Sequence, residues 1–193
     1  MPYTPDISAR TVLACSKNMP NPIVREIEVT LAWSEAHALV VTYRLSADTR
    51  QLCIPDSAGS RRVNGLWQHT CFEVFVRVKD SPAYYEFNFS PSGEWAAYGF
   101  RAYRDGGPLD DAVGAPDISV QTFPDQLKLA AAIRLAQFLS VQPGMLLRLG
   151  LSAVVEASDG TLSYWALNHP AAKPDFHHPD SFALVLAVPD AKA

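Results

Sequence analysis

WQHTCFEVFVRVKDSPAYYEFNFSPSGEWAAYGFRAYR, residues 67–104, is the stretch whose reading decides the fold. Phe72, Val74, Val76 and Val78 occupy alternate positions with Glu73 and Arg77 between them, which predicts a half-buried strand. Glu73 then points away from the apolar face. After a turn at Asp80, Ser81 and Pro82, the residues Tyr85, Phe87 and Phe89 make an apolar face, and Tyr84, Glu86, Asn88 and Ser90 a polar one. Pro91, Ser92 and Gly93 turn the chain again, and residues 95–104 read as a third strand. The expected product is an antiparallel meander with one greasy face and one face of carboxylates, amides and tyrosine hydroxyls.

Toward the N-terminus the same period recurs. Ile27, Val29, Leu31 and Trp33 alternate with polar residues, and the pattern resumes at Leu39, Val41, Tyr43 and Leu45, predicting a hairpin. Residues 1–22, with four prolines, read as an irregular entry containing one edge strand around 12–15. Residues 52–54 form a short apolar run, and 55–65 a turn-rich loop that delivers the chain to Trp67. Beyond Arg104, residues 105–117 carry four acids, three glycines and two prolines and read as one long loop. Alternating runs return at 118–122, 127–135, 147–155, 162–167 and 182–188. No apolar stripe at helical spacing persists. Many short strands without strand–helix alternation predict an all-β antiparallel sandwich or jelly roll, and 193 residues suit one domain spanning 1–193.

Composition narrows the function. Hydrophobic residues make up 48% and charged residues 19%, as in ordinary globular proteins. The net charge of −4, with no basic run, argues against nucleic acid and anionic membrane as partners. Cys15, Cys53 and Cys71 are widely spaced among apolar neighbours and are expected to be reduced and buried. Without an export signal or an apolar stretch of spanning length, the chain is expected to be cytoplasmic. No cofactor is expected, because no Gly-rich phosphate loop, nucleophile elbow or GxGxxG occurs.

Three constellations could carry chemistry. Trp67, Glu73, Tyr84, Glu86, Tyr98, Arg101, Arg104, Trp165 and Asn168 combine flat rings with carboxylate, amide and guanidinium groups. A sugar offers C–H faces to the rings and a fringe of hydroxyls to the polar groups; a tryptophan of a sandwich can equally be a core residue. His169, Asp175, His177, His178 and Asp180 lie in a proline-rich loop and are legal metal ligands, but their spacing matches no zinc pattern. No metal is expected there, and Pro170, Pro174 and Pro179 would fix an ordered loop. Glu73, Glu86 and Glu94 could supply the carboxylate pair of a glycoside hydrolase, against the alternative that they are simply solvated.

The run LWQHTCFEVFV through YYEFNFSPSGEWAAYGFRAYR resembles the DOMON-like proteins and the family-nine carbohydrate-binding modules grouped with them. In these a tryptophan precedes an x-E-x-F strand, followed by YxEFxxxPxGxW. SYWALNHPAAKPDFHHPDSF, residues 163–182, is similar to the closing segment of a bacterial DOMON-like branch. The resemblance implies a β-sandwich holding a sugar at one end between two tryptophans, with a glutamate, an arginine and an asparagine bonding its hydroxyls. It matches Trp67 to the first tryptophan and Glu73 to the glutamate, Arg101 or Arg104 to the arginine, and Trp165 with Asn168 to the remaining pair. Here Trp165 precedes Asn168, the reverse of the order in the modules. Haem-binding relatives use methionine and histidine, whereas this chain has only Met19 and Met145 internally and no CxxCH. The expectation is therefore non-catalytic binding of a small carbohydrate or similar polyhydroxylated ligand. The alternatives are an enzyme, acting through Glu73 and Glu86 or through the loop from His169 to His178, and a protein-interaction module built on the aromatics.

Overall fold

Alternating apolar residues cannot all be buried by one sheet, and here they are divided between two. The computed structural model describes residues 7–34, 37–109 and 114–190. The strands are β1 (Ile7–Val12), β2 (Ala14–Cys15), β3 (Val24–Trp33), β4 (Leu39–Ala47), β5 (Cys71–Val78), β6 (Tyr84–Phe89), β7 (Trp95–Ala102), β8 (Asp105–Pro108), β9 (Asp117–Phe123), β10 (Gln126–Ile133), β11 (Leu146–Glu156), β12 (Leu162–Ala166) and β13 (Leu184–Ala187). One sheet has the order β1-β3-β4-β10-β9; the other runs β2-β12-β11-β5-β6-β7-β8, with β13 also on β11. These strands pair antiparallel throughout. The 11-residue β11 is long enough to take β13 along Leu146–Leu149 and β12 along Ser152–Glu156 on one edge, and β5 on the other.

The inner faces meet in a shared core. Ile27, Leu31, Val41, Leu45, Leu127 and Leu129 of the five-stranded sheet pack with Phe72, Val74, Val76, Phe89, Leu149 and Leu151 of the other. Full burial of each such side chain contributes about 1.5–3 kcal/mol, so this seam supplies most of the stabilisation and fixes the fold as an all-β sandwich. The phenol of Tyr43, fully buried from β4, crosses the seam and donates to the Glu73 carbonyl oxygen at 2.7 Å. The inner parity of β5 is thereby pinned, and Glu73 is left on the outer face.

Several local expectations are revised. Residues 105–117 do not form one loop: Asp105–Pro108 is an edge strand on β7, hidden in the sequence by its Gly-Gly-Pro composition. The residues 110–113 of that expected loop lie outside the described residues. The N-terminal segment forms two edge strands on different sheets; between them buried Leu13 donates its N–H to the Ile27 carbonyl at 2.9 Å. Residues 52–54 form only a single bridge, Leu52 to Ala157. Of the three cysteines, Cys71 alone is buried, while Cys15 is half-buried and Cys53 exposed, because Leu52 takes the inward position beside it; all three are free thiols. Among the described residues no helix is long and apolar enough to cross a membrane.

Gly106 makes the β7–β8 pairing possible. A Cβ there would lie 2.0 Å from the Gly99 carbonyl oxygen and 2.6 Å from the Phe100 Cα, and neither backbone atom can step aside alone. Gly106→Ala is expected to loosen β8 and destabilise the protein by about 1–3 kcal/mol. Urea denaturation checks this, and an unchanged midpoint would refute the close packing.

Candidate ligand-binding site

The side chains of the eight-stranded sheet that do not enter the core face outward, and in most sandwiches would meet water. Here they line a cavity of about 560 Å³. Its floor is Glu73 and Phe75 of β5, Glu86 of β6, Tyr98 and Phe100 of β7, Val154 of β11 and Tyr164 of β12. The walls are Asn64 and Trp67 on one side, the β7–β8 hairpin with Arg104, Gly107 and Pro108 on another, and Pro174, Phe176 and His177 of the segment between β12 and β13. The cavity therefore lies on a face of the sandwich, whereas the resemblance led one to expect a site at its end.

Trp67 sits at the rim in a single 3-10 turn, Leu66–Gln68, entered through Gly65 at φ 83. That left-handed conformation suits glycine and turns the chain so that Leu66 is buried while the indole of Trp67 stays 43% exposed. The indole meets the Tyr98 ring edge-on at 5.7 Å, and the Tyr98 hydroxyl donates to Asn64 Oδ1 at 3.1 Å.

Beneath them lie two carboxyl groups where a sheet surface ordinarily carries solvated ones. Glu73 is 2% and Glu86 5% exposed. Glu73 stands opposite Asn88 and Glu86 opposite Phe75, so the two are diagonal neighbours on adjacent strands. Glu73 Oε2 accepts from the Ser152 hydroxyl at 3.1 Å, and Glu86 Oε1 from the Asn88 amide at 2.9 Å. Burial pushes both up from the ordinary carboxylate range: Glu73 to about 8, with repulsion from Glu86 added and the Ser152 hydroxyl pulling the other way, and Glu86 to about 7, against the lowering pull of the Asn88 amide and the Arg104 charge. Burial and the Arg104 charge push His177 down to about 4, so its ring is neutral at pH 7. The Arg104 backbone N–H donates to the Tyr84 oxygen at 3.1 Å, and the Tyr84 hydroxyl shares a hydrogen bond with His177 Nδ1 at 2.8 Å. His177 Nε2 lies 3.6 Å from Glu86 Oε2.

The segment at 170–182 is held down as a roof. Asp175 accepts from the Tyr103 hydroxyl at 2.6 Å and from Arg104 at 2.8 Å, and its own carbonyl takes the Ser181 hydroxyl at 3.0 Å. These bonds keep Asp175 ionised below its ordinary range despite partial burial. Phe182 packs edge-on against Phe75 at 6.1 Å and Tyr84 at 5.4 Å, closing the roof onto the sheet.

Of the nine side chains expected from the sequence, Trp67, Glu73, Glu86, Tyr98 and Arg104 line the cavity and Tyr84 supports it from below. Arg101 points to solvent and pairs with Asp105 at 3.0 Å. Trp165 faces the core instead: it pairs with Ala153, is 6% exposed, and its indole N–H donates to the Ser163 hydroxyl at 3.1 Å. Its neighbour Tyr164, of opposite parity, is the ring that reaches the cavity. Asn168 lies outside it and donates to the Asp180 carbonyl at 3.1 Å, bracing the roof. No clamp of two tryptophans exists here, because strand parity sends the second one inward. Sequence reasoning missed Asn64, Phe75, Phe100, Tyr164, Phe176 and the cavity role of His177; shared parity with Glu73 could have found Phe75, and with Tyr98, Phe100.

The histidines and aspartates of the 169–180 loop, legal metal ligands by type, disperse. His169 bonds the Ala14 carbonyl through Nε2 at 2.9 Å, His178 caps the turn at Pro179–Ser181, Asp180 is solvent-facing, and Asp175 and His177 serve the roof. Among the described residues, no group of three or more His, Cys, Asp and Glu side chains gathers at one point. Glu94 is tied to Arg61 at 2.6 Å and to the Ser92 hydroxyl at 2.9 Å, away from the cavity.

No protein-family model and no curated protein matches the sequence. Among solved structures, the chain is similar to a protein from Bacteroides uniformis ATCC 8492 proposed to bind carbohydrate, at 17% identity and a TM-score of 0.69 over 93% of this chain and 85% of that one. A family-nine carbohydrate-binding module from Caldicellulosiruptor kristjanssonii in complex with cellotriose is matched at 14% identity and a TM-score of 0.47, over 86% and 78% of the two chains. The first of these is a likeness of fold, and it extends over nearly the whole sandwich.

Proposed function

We propose that the cavity binds a small carbohydrate or similarly polyhydroxylated ligand without transforming it. The carrying observation is that one pocket of about 560 Å³ joins an exposed indole at its rim to two buried carboxyls at its floor. That volume falls within the usual range for small-ligand pockets, about 300–1,000 Å³. A carboxyl protonated near neutral pH both donates and accepts, and its ionised partner accepts only. Together with Asn64, Tyr98 and Arg104 they match a ring of hydroxyls, each of which needs a donor and an acceptor. The walls of Trp67, Phe75, Phe100, Tyr164 and Phe176 offer flat apolar faces to C–H groups. The carbohydrate-binding description of the Bacteroides uniformis neighbour favours the same reading.

Calorimetric and fluorescence titrations with glucose, galactose, cellobiose and xylobiose test it. Saturable binding to one of them with a quench of Trp67 emission, and no sugar released on prolonged incubation, is the expected result. Release of reducing ends that disappears in Glu73→Gln or Glu86→Gln would replace binding with hydrolysis.

A further inference from the structure

Glu73 and Glu86 line the cavity at more than nine-tenths burial, and each has one carboxyl oxygen held by a neutral donor. The other oxygen of each, Glu73 Oε1 and Glu86 Oε2, has no hydrogen-bond partner among the described residues. Arg104, the one lysine or arginine among the described residues that lines the cavity, is already ion-paired with Asp175 at 2.8 Å. His177, 3.6 Å from Glu86 Oε2, is too far for a hydrogen bond. The protein has thus removed two acids from water and set them side by side, and the Arg104 charge that acts on Glu86 from nearby is ion-paired with Asp175 rather than with either glutamate.

We propose, building on the carbohydrate-binding reading, that the ligand presents a protonated amine to this pair, as an amino sugar does. A primary ammonium has three donors and no acceptor, which suits two inward carboxyl oxygens. Charge-assisted bonds of this kind are roughly twice as strong as neutral ones.

The titratable groups around the pair agree with this arrangement. Cys71 on β5, Tyr84 on β6, Tyr98 on β7, Tyr43 from the opposite sheet and His177 in the roof are all held in their neutral forms by burial. None supplies a countercharge. In the empty cavity the pair therefore keeps a proton near neutral pH. An arriving ammonium ion replaces it: the carboxyl O–H bond breaks and its proton passes to the buffer base, the carboxylate formed pairs with the ligand nitrogen, and the ligand's own covalent bonds are unchanged.

Titration calorimetry of the intact protein at pH 7 with glucosamine and galactosamine, each beside its parent hexose, tests the proposal. The measurement is repeated in two buffers of different ionisation enthalpy. At least one amino sugar is expected to bind about tenfold or more tighter than its parent, releasing up to one proton, and the preference is expected to vanish in Glu73→Gln and Glu86→Gln. Hexoses and amino sugars binding equally, or an amino-sugar preference without proton release, overturns the amine proposal and leaves carbohydrate binding standing. If neither hexoses, amino sugars nor disaccharides bind, carbohydrate binding itself fails and this inference fails with it.

Discussion

Trp165→Ala is expected to cost about 3–5 kcal/mol of stability, whereas Trp67→Ala is expected to cost about 1 kcal/mol and to lose the ligand. Both are tryptophans flanking the same sheet, and their fates separate on burial. Trp165 is 6% exposed and packed in the inter-sheet core, so truncation leaves a cavity that neighbouring strands cannot collapse to fill. Trp67 is 43% exposed and rests edge-on against Tyr98, so its removal mainly uncovers surface already near water. For a chain of this size each kcal/mol shifts Tm by about 2–4 °C. Calorimetry should therefore show Trp165→Ala melting roughly 6–20 °C lower and Trp67→Ala within a few degrees of the parent. Affinity should fall at least tenfold in Trp67→Ala, the equivalent of about 1.4 kcal/mol. An unfolded Trp67→Ala, or one that binds as the parent does, would remove the indole from the site.

The buried carboxyl pair makes stability depend on pH in a direction opposite to that of an ordinary acid. In the unfolded chain a glutamate ionises near 4.5, whereas Glu73 holds its proton to about 8 and Glu86 to about 7. Between those values the folded protein binds protons that the unfolded chain has released, so rising pH favours unfolding. The stabilisation is complete below about 4.5 and is lost by about 8. His177 acts at the other end: its folded value of about 4 against 6.5 unfolded means that stability is lost as pH falls from 6.5 toward 4. Glu73→Gln removes the Glu73 share of the first effect, leaving that of Glu86, while keeping a side chain that can accept the Ser152 bond. It is expected to exceed the parent by on the order of 2–4 kcal/mol at pH 8.5, since each unit of displacement is worth about 1.36 kcal/mol, and to approach it at pH 5. Urea denaturation at the two pH values decides the matter; parallel profiles would mean that Glu73 is ionised in the folded protein without penalty.

The strands were legible in the sequence because alternation is a local property: side chains two apart share a face, so Phe72, Val74 and Val76 announce their own burial. The same parity placed Glu73 and Glu86 together on the opposite face. The candidate site went wrong where a conspicuous residue was preferred to its neighbour without regard to parity, as with Trp165 over Tyr164. Local pattern is silent on how a sheet's outer face will be covered. Glu73 and Glu86 became buried because the segment at 170–182, about ninety residues away, folds over them, tied by Asp175 to Tyr103 and Arg104. That contact is long-range and depends on the order of strands in the sheet, which brings β12 next to β11 and β11 next to β5. The sequence by itself determined an all-β sandwich with aromatic and acidic side chains on one outer face. The tertiary structure alone decided that this face would be roofed, because the desolvation that turns two surface glutamates into a proton-holding pair comes from residues far away in the chain.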